Sequence, residues 1–375
     1  MTRRIGVVVN PVAGLGGPAG LKGSDGAATQ TLALARGSAP RALERAVRML
    51  RVLSSAAASP DVVTISGVMG WDAVTAAGLS AHVVWSPAFQ PTGGGDTTAA
   101  VAALVAAGAT LVLFVGGDGT ARDVSAGITG DVPILGVPAG VKMYSSCFAV
   151  SPEAAGSVAA RWMTRSTPTT TAEILDVDEE DVRAGHVRPR LHAIVSIPEV
   201  IGRTQARKTA TADSERSAVV SAAAGVVPRL ESGVRYLMGP GSTVAEVGQQ
   251  LGLRLTPLGV DVVLNGRIVV QDASEAEVFA HASAGPTRAV ITVIGGQGFL
   301  LGRGNQQLSP RVLRALADDP LLVVATERKL IGLGGRPLLV DTGDRNLDRA
   351  LEGYVRVSTG PGTTAMYPVV AADGE

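Results

Sequence analysis

The sequence is poor in the features on which several functional classes depend. Its one cysteine, Cys147, cannot close an intrachain disulfide, which excludes a disulfide-stapled secreted scaffold and fits a reducing compartment. Aromatic residues make up 3%, too few for base-stacking platforms, and 33 basic residues balance 33 acidic ones. Without an excess of positive charge to displace counterions, no nucleic-acid partner is expected. The four histidines, at positions 82, 186, 192 and 281, show no metal-ligand spacing. No apolar run reaches the roughly 18 residues that flag a membrane span; the longest candidate, Ala99 to Val115, is broken by Gly108-Ala109-Thr110. The start, Met1 to Val9, imitates a signal peptide, but Asn10-Pro11 ends it short of the roughly 7–15 residues of an h-region. It reads as a first strand. The expectation is a cytoplasmic protein with no membrane partner.

What is present is chain length and glycine. Domains usually run roughly 100–200 residues, so 375 residues suggest two, and 46% hydrophobic residues supply ample core. Up to about residue 165 candidate strands (4–10, 62–66, 82–86, 111–115, 132–137) alternate with candidate helices (40–54, 71–77, 97–107, 120–128). That alternation predicts a parallel, three-layer α/β domain over 1–165. In the first long helix Leu43, Val47, Leu50 and Leu53 form the apolar stripe expected to face a core. A further helix opens with Ser151 as N-cap and Pro152 behind it. Beyond Ser166-Thr-Pro the texture changes to longer β-prone runs (170–177, 190–197, 260–264, 267–270, 289–294), with a hairpin signal at Asn265-Gly266. A β-rich second domain is expected over 166–308, and 309–375 is read as a C-terminal segment that could pack back on the first domain.

The most informative motif is Gly116-Gly117-Asp118-Gly119-Thr120, directly after the apolar run Leu111–Val115. In open α/β sheets ligands bind beyond the carboxyl ends of strands. Glycines there let the backbone approach an anion, and a helix starting near Thr120 would aim N–H groups at a phosphate. Asp118, the only acid in the loop, could take a proton from an attacking hydroxyl, hold Mg²⁺, or merely cap the turn.

The stretch Gly14 to Gly26 formally contains G-x-G-x-x-A, but Pro18 interrupts the expected helix and no acid follows about 20 residues on, so a Rossmann fingerprint is rejected. No G-K-[ST] follows either. The stretch reads as a flexible cover over a nucleotide or as a mobile surface loop. Pro138-Ala-Gly140-Val-Lys142-Met-Tyr-Ser145 ends the next strand, where Lys142 could steady a phosphate. Gly239-Pro-Gly241-Ser242-Thr243 precedes a helical run, and Thr243-x-x-Glu246 matches a capping box; a capped helix start behind two glycines is also an anion site. The loop from Gly295 to Gln307 gathers Gln297, Arg303 and Asn305. The acidic run from Asp176 to Asp181 lacks EF-hand spacing and reads as a solvated strand end.

Taken together, Asn10-Pro11 with Gly20-Leu-Lys22-Gly-Ser-Asp25-Gly26, Gly116–Thr120, Gly136-Val-Pro-Ala-Gly140-Val-Lys142, Gly239–Thr243, Leu258-Gly-Val-Asp261 and Gly295 to Gln306 give the chain its resemblance to the NAD kinase and diacylglycerol kinase superfamily, in particular to ATP-NAD kinase family proteins. The resemblance implies an N-terminal α/β domain with a parallel sheet, a β-rich C-terminal domain, and a site in the crevice between them. It implies that Asp118 is the base that deprotonates the ribose 2′-hydroxyl of NAD as it attacks the γ-phosphate of ATP. Asn10, Gly116, Gly117, Gly119, Thr120, Gly140 and Lys142 would line the nucleotide, and Gly241, Ser242 and Thr243 stand where that family touches the dinucleotide. Glu199, Asp261, Gln297, Arg303 and Asn305 are candidate second-domain contacts. Mg²⁺ would arrive with ATP, no metal site being built from side chains, and a homo-oligomer is expected.

One departure concerns the Asn-Glu pair that holds the nucleoside in NAD kinases. Its counterpart here is Pro198-Glu199, with proline in place of asparagine. The alternatives to an NAD kinase are therefore a kinase of another nucleotide-containing or small hydroxyl metabolite, or a non-catalytic nucleotide-binding protein of the same fold.

Overall fold

The computed structural model describes residues 3–21, 23–24, 26–57, 59–140, 143–177, 189–200, 204 and 216–373. The chain forms two compact units: Met1–Gly14 with Ala39–Arg207, and Leu15–Ser38 with Lys208–Glu375. Among the described residues no helix is long and apolar enough to cross a membrane.

The first unit is built on a parallel five-stranded sheet of order β3-β2-β1-β4-β5, formed by β1 (Ile5–Val9), β2 (Val62–Ile65), β3 (His82–Trp85), β4 (Leu111–Gly116) and β5 (Ile134–Pro138). Strands β1, β4 and β5 are buried along their whole length, as continuous apolar runs covered on both faces should be. Helices Gly94–Ala106 and Asp118–Gly127 cover one face, where Val8, Val63, Val112 and Phe114 meet Ala100, Val101, Leu104, Ala121 and Val124. Phe114 and Phe148 meet edge to face with centroids 5.3 Å apart.

Helices Ala42–Ala56 and Pro152–Thr164 pack against each other and against β4 and β5. Ser151 caps the latter, accepting the Ala154 N–H at 3.0 Å as expected. The stripe on Ala42–Ala56 is rotated from the expected one. Leu43 is 51% exposed, whereas Arg45 is buried beside Ala42, Ala46, Met49, Leu50 and Leu53. The Arg45 guanidinium donates to the Pro138 carbonyl at the end of β5, at 2.9 Å, which accounts for its inward position.

The antiparallel pair β6 (Thr169–Val177) and β7 (Pro189–Pro198) also belongs to this unit, although a boundary at 165 assigns it to the second. Ala172, Ile174 and Ile197 enter the same core as Val112 and Phe114. Apolar burial, not β-texture, decides where the hairpin goes. The acidic run from Asp176 lies mostly outside the described residues.

The second unit holds a nine-stranded mixed sheet of order β10-β9-β8-β11-β13-β15-β16-β14-β12. Its strands are β8 (Arg235–Met238), β9 (Asp261–Leu264), β10 (Arg267–Val270), β11 (Thr287–Thr292), β12 (Phe299–Leu301), β13 (Leu321–Val324), β14 (Leu338–Val340), β15 (Gly353–Gly360) and β16 (Thr363–Ala371). Strands β8, β11, β13 and β15 run parallel to one another. Between β9 and β10, Asn265 and Gly266 both take positive φ, 51° and 72°, as a two-residue hairpin turn requires.

Two expectations are corrected here. The segment 309–375 belongs to the second unit: it supplies β13 to β16, and β13 lies between β11 and β15 in the middle of that unit's sheet. A buried Leu321–Val324 run with a strand on each side leaves it no other place. The glycine-rich stretch after β1 is not a mobile surface loop. Residues 15–38 join the second unit, where Leu15, Ala19 and Ala33 form a small buried cluster with Leu21, and the Pro18 carbonyl accepts the Glu275 N–H at 2.8 Å.

Candidate active site

In the first unit the chain runs outward from β1 through β2 to β3, then returns to lay β4 on the other side of β1. The carboxyl ends of β1 and β4 thus flank the point where strand order reverses, the usual crevice for a ligand in an open α/β sheet. The first residue past β1 is Asn10, and β4 ends at Gly116. The Asn10 side-chain amide donates to Thr120 Oγ1 at 2.9 Å, and its Oδ1 accepts the Val12 N–H at 3.2 Å. Two loops that sequence spacing leaves unconnected are thereby joined across the switch point.

The helix after β4 starts at Asp118 with Gly117 as N-cap, so Asp118, Gly119 and Thr120 are its first turn. Helix N-termini present free N–H groups and a partial positive charge, which favours phosphate there. The loop after β5 closes on this turn. The Ala139 and Gly140 N–H groups both donate to the Gly116 carbonyl, at 2.9 and 3.1 Å. A Cβ on Gly140 would lie 2.7 Å from Gly117 Cα, so the two loops touch backbone to backbone and only glycine fits.

Asp118 is held from the same loop. Its carboxylate accepts the Tyr144 N–H at 2.6 Å and the Ser145 N–H at 3.0 Å. Ser145 is fully buried, its hydroxyl accepting the Leu175 N–H of β6 at 3.0 Å, and Ser146 accepts the Glu173 N–H at 2.9 Å. The hairpin that joins this unit therefore clamps the segment that orients the acid. Burial, with the negative Asp118 adding to it, pushes the Tyr144 phenol up to about 12 and drives the buried Cys147 thiol well above its ordinary value. Both stay protonated near neutrality. Tyr144 and Ser145 act through their backbone, so no side-chain motif could have singled them out. Lys142, like Lys22 and Asp25, lies outside the described residues.

Among the described residues no three His, Cys, Asp or Glu side chains converge as a metal site. Mg²⁺ is ordinarily held through substrate phosphates, water and one or two carboxylates. A loop with the single carboxylate of Asp118 and a helix start for phosphate fits a metal that comes with its nucleotide.

In the second unit Gly241 takes φ 121° as N-cap of the helix Ser242–Gln250. The expected capping box is absent: Thr243 lies inside the first turn, fully buried, and its hydroxyl accepts from Lys329 Nζ at 3.0 Å. Three of the candidate second-domain contacts are engaged by other groups of the second unit. Asp261, with no exposed surface, accepts from the Thr256 N–H and hydroxyl and the Asp272 N–H at 2.5, 2.8 and 2.7 Å. Arg303 pairs with Asp341 at 2.7 Å, both buried, and lies over the Phe299 ring at 4.5 Å. Asn305 closes its own loop, accepting from Gly302 N–H and donating to the Leu300 carbonyl, each at 2.9 Å. Gln297 is buried in the turn between β11 and β12. Glu199 is exposed and follows β7, which places it in the first unit and not in the second.

Comparison with curated proteins and with solved structures returns no match. Residues 5–167 match the ATP-NAD kinase N-terminal domain and residues 231–369 the ATP-NAD kinase C-terminal domain. With a glycine loop and its acid at the switch point of a parallel sheet in one unit, and a strand-rich mixed sheet in the other, the chain belongs to the ATP-NAD kinase family.

Proposed function

We propose that the protein transfers the γ-phosphate of ATP to a ribose hydroxyl of NAD, with Asp118 as the general base. One observation carries this reading: the Asp118 carboxylate is fixed by two backbone N–H groups at the mouth of two glycine loops, beside a helix N-terminus. Phosphoryl transfer asks for positioning and charge stabilisation more than for covalent chemistry, and backbone N–H groups supply both. In this scheme the first turn at Asp118–Thr120 receives phosphate oxygens. Asn10, bonded to Thr120, keeps that turn in register with β1. Asp118 takes the proton of the attacking hydroxyl. Mg²⁺ bound with ATP would neutralise phosphate charge.

Purified protein with ATP, Mg²⁺ and NAD is expected to yield NADP, and Asp118→Asn to lower kcat by about 10²–10⁴-fold, the usual contribution of a general base. Equal turnover by wild type and variant overturns the role of Asp118. Pro198, standing where NAD kinases carry asparagine, favours one further reading, a different ribose-bearing acceptor. Label from ATP appearing on another nucleotide while NAD stays unmodified would keep the kinase and replace its acceptor.

A further inference from the structure

Two loops of the Asp118 site share a support that the reading above does not use, the amino-terminal end of the helix Ala42–Ala56. The Arg41 N–H, just ahead of that helix, donates to the Ala13 carbonyl in the loop after β1, at 3.2 Å. One turn on, the Arg45 guanidinium donates to the Pro138 carbonyl, the last of β5, at 2.9 Å. The two loops touch where these bonds are made: a Cβ on Gly14 would lie 2.6 Å from the Ala139 carbonyl oxygen and 3.2 Å from Arg41 Cβ.

Arg45 is 3% exposed on a helix face otherwise made of Ala42, Ala46, Met49 and Leu50. An apolar side chain would fill that place without desolvation, whereas a buried guanidinium is costly unless its N–H groups find acceptors. The helix that carries it is fixed in turn, since Arg48 forks onto Glu153 of the helix Pro152–Thr164 at 2.8 and 3.1 Å. What Arg45 holds is the first half of the segment after β5. There the Ala139 and Gly140 N–H groups donate to the Gly116 carbonyl, and Gly140 lies against Gly117. The second half, which orients Asp118, is tied separately through Ser145 and Ser146 to β6. One anchor thus serves the backbone on the glycines, and another serves the acid.

We propose that Arg45 is a positioning residue for phosphate binding: through the Pro138 carbonyl it presses residues 138–140 onto Gly116 and Gly117, and so keeps the glycine loop in the geometry that receives the phosphates of a nucleotide. It does this without touching the ligand. Its planar fork fixes a direction that the flexible ammonium of a lysine does not. Because Asp118 is held from the other half of the segment, loss of Arg45 acts on nucleotide affinity more than on the chemical step. This role rests on the nucleotide reading above and not on NAD being the acceptor.

Arg45→Met keeps the length and removes the donors, and Arg45→Lys keeps the charge without the fork. In the intact protein without ligand, residue-resolved hydrogen exchange of Arg45→Met is expected to quicken about tenfold at Ala139 and Gly140 and to change little at Tyr144 and Ser145. Calorimetric titration is expected to show ADP bound about fivefold to twentyfold more weakly, since small misplacements of a positioning group are enough for losses of this order. Arg45→Lys should fall between Arg45→Met and wild type in both measurements, and it carries them should Arg45→Met not fold. In turnover with ATP and NAD, KM for ATP is expected to rise by more than kcat falls. Wild-type exchange at Ala139 and Gly140, a folded variant that binds ADP as wild type does, or a fall in kcat at unchanged KM overturns the proposal. Wild-type protein that does not bind ADP overturns the nucleotide reading, and the phosphate role of Arg45 with it, whatever the exchange rates.

Discussion

At the scale of single residues the sequence singles out a candidate acid but not the groups that hold it. A lone carboxylate among glycines after an apolar run marks Asp118, but what fixes it is backbone donated from 26 and 27 residues downstream, at Tyr144 and Ser145. Tyr144 reports on that environment. The folded protein holds the phenolic proton more tightly than the unfolded chain, with the value raised from 10.0 to about 12 by burial and by Asp118. The associated stability is therefore fully present below pH 10 and is lost as pH rises through about 12, a change of roughly 2–3 kcal/mol. Urea unfolding at pH 8 and at pH 11.5 is expected to show this loss in wild type and a smaller loss in Tyr144→Phe. The tyrosinate absorbance difference between the two proteins should have its midpoint near 12. A midpoint at the ordinary tyrosine value would mean that Tyr144 is not buried against Asp118.

Among the elements, the buried strands β1, β4 and β5 of the first unit were readable as continuous apolar runs, and the helix Pro152–Thr164 by its Ser151 N-cap. The strands β13 to β16 were not assignable, because short apolar runs such as Leu321–Val324 and Leu338–Val340 do not encode their partners, which lie far along the chain. The same limit explains Arg303. A charged residue in a glycine-dense loop reads as a ligand contact, yet its guanidinium is paired with Asp341, 38 residues away. Removing one member of a buried pair strands the other. Arg303→Leu is thus expected to cost about 3–5 kcal/mol, measured as a fall in the urea midpoint, and Arg303→Leu with Asp341→Leu should recover most of it. A stable Arg303→Leu protein that has lost nucleotide affinity would instead return Arg303 to the site.

On the scale of the whole molecule, the order of residues along the chain does not follow the order of the units. The backbone leaves the first unit after Gly14, contributes Leu15–Ser38 to the second, and returns at Ala39. Texture alone could not reveal this, since the stretch has neither strand periodicity nor a long amphipathic helix; its assignment rests on burial of Leu15, Ala19 and Ala33 and on Pro18 receiving the Glu275 N–H. Its attachment makes a substitution beside β1 act at a distance in sequence. Leu15 is 2% exposed, and Leu→Ala in a packed site costs about 2–5 kcal/mol through lost burial and the cavity left behind. Hydrogen exchange of Leu15→Ala, followed by mass spectrometry, is expected to quicken in residues 15–38 and around Glu275, where the strap is anchored, and to leave β1, β2 and β4 at wild-type rates. Quickening confined to β1 and its sheet neighbours would assign the stretch to the first unit after all, because local unfolding spreads through the elements that share a core.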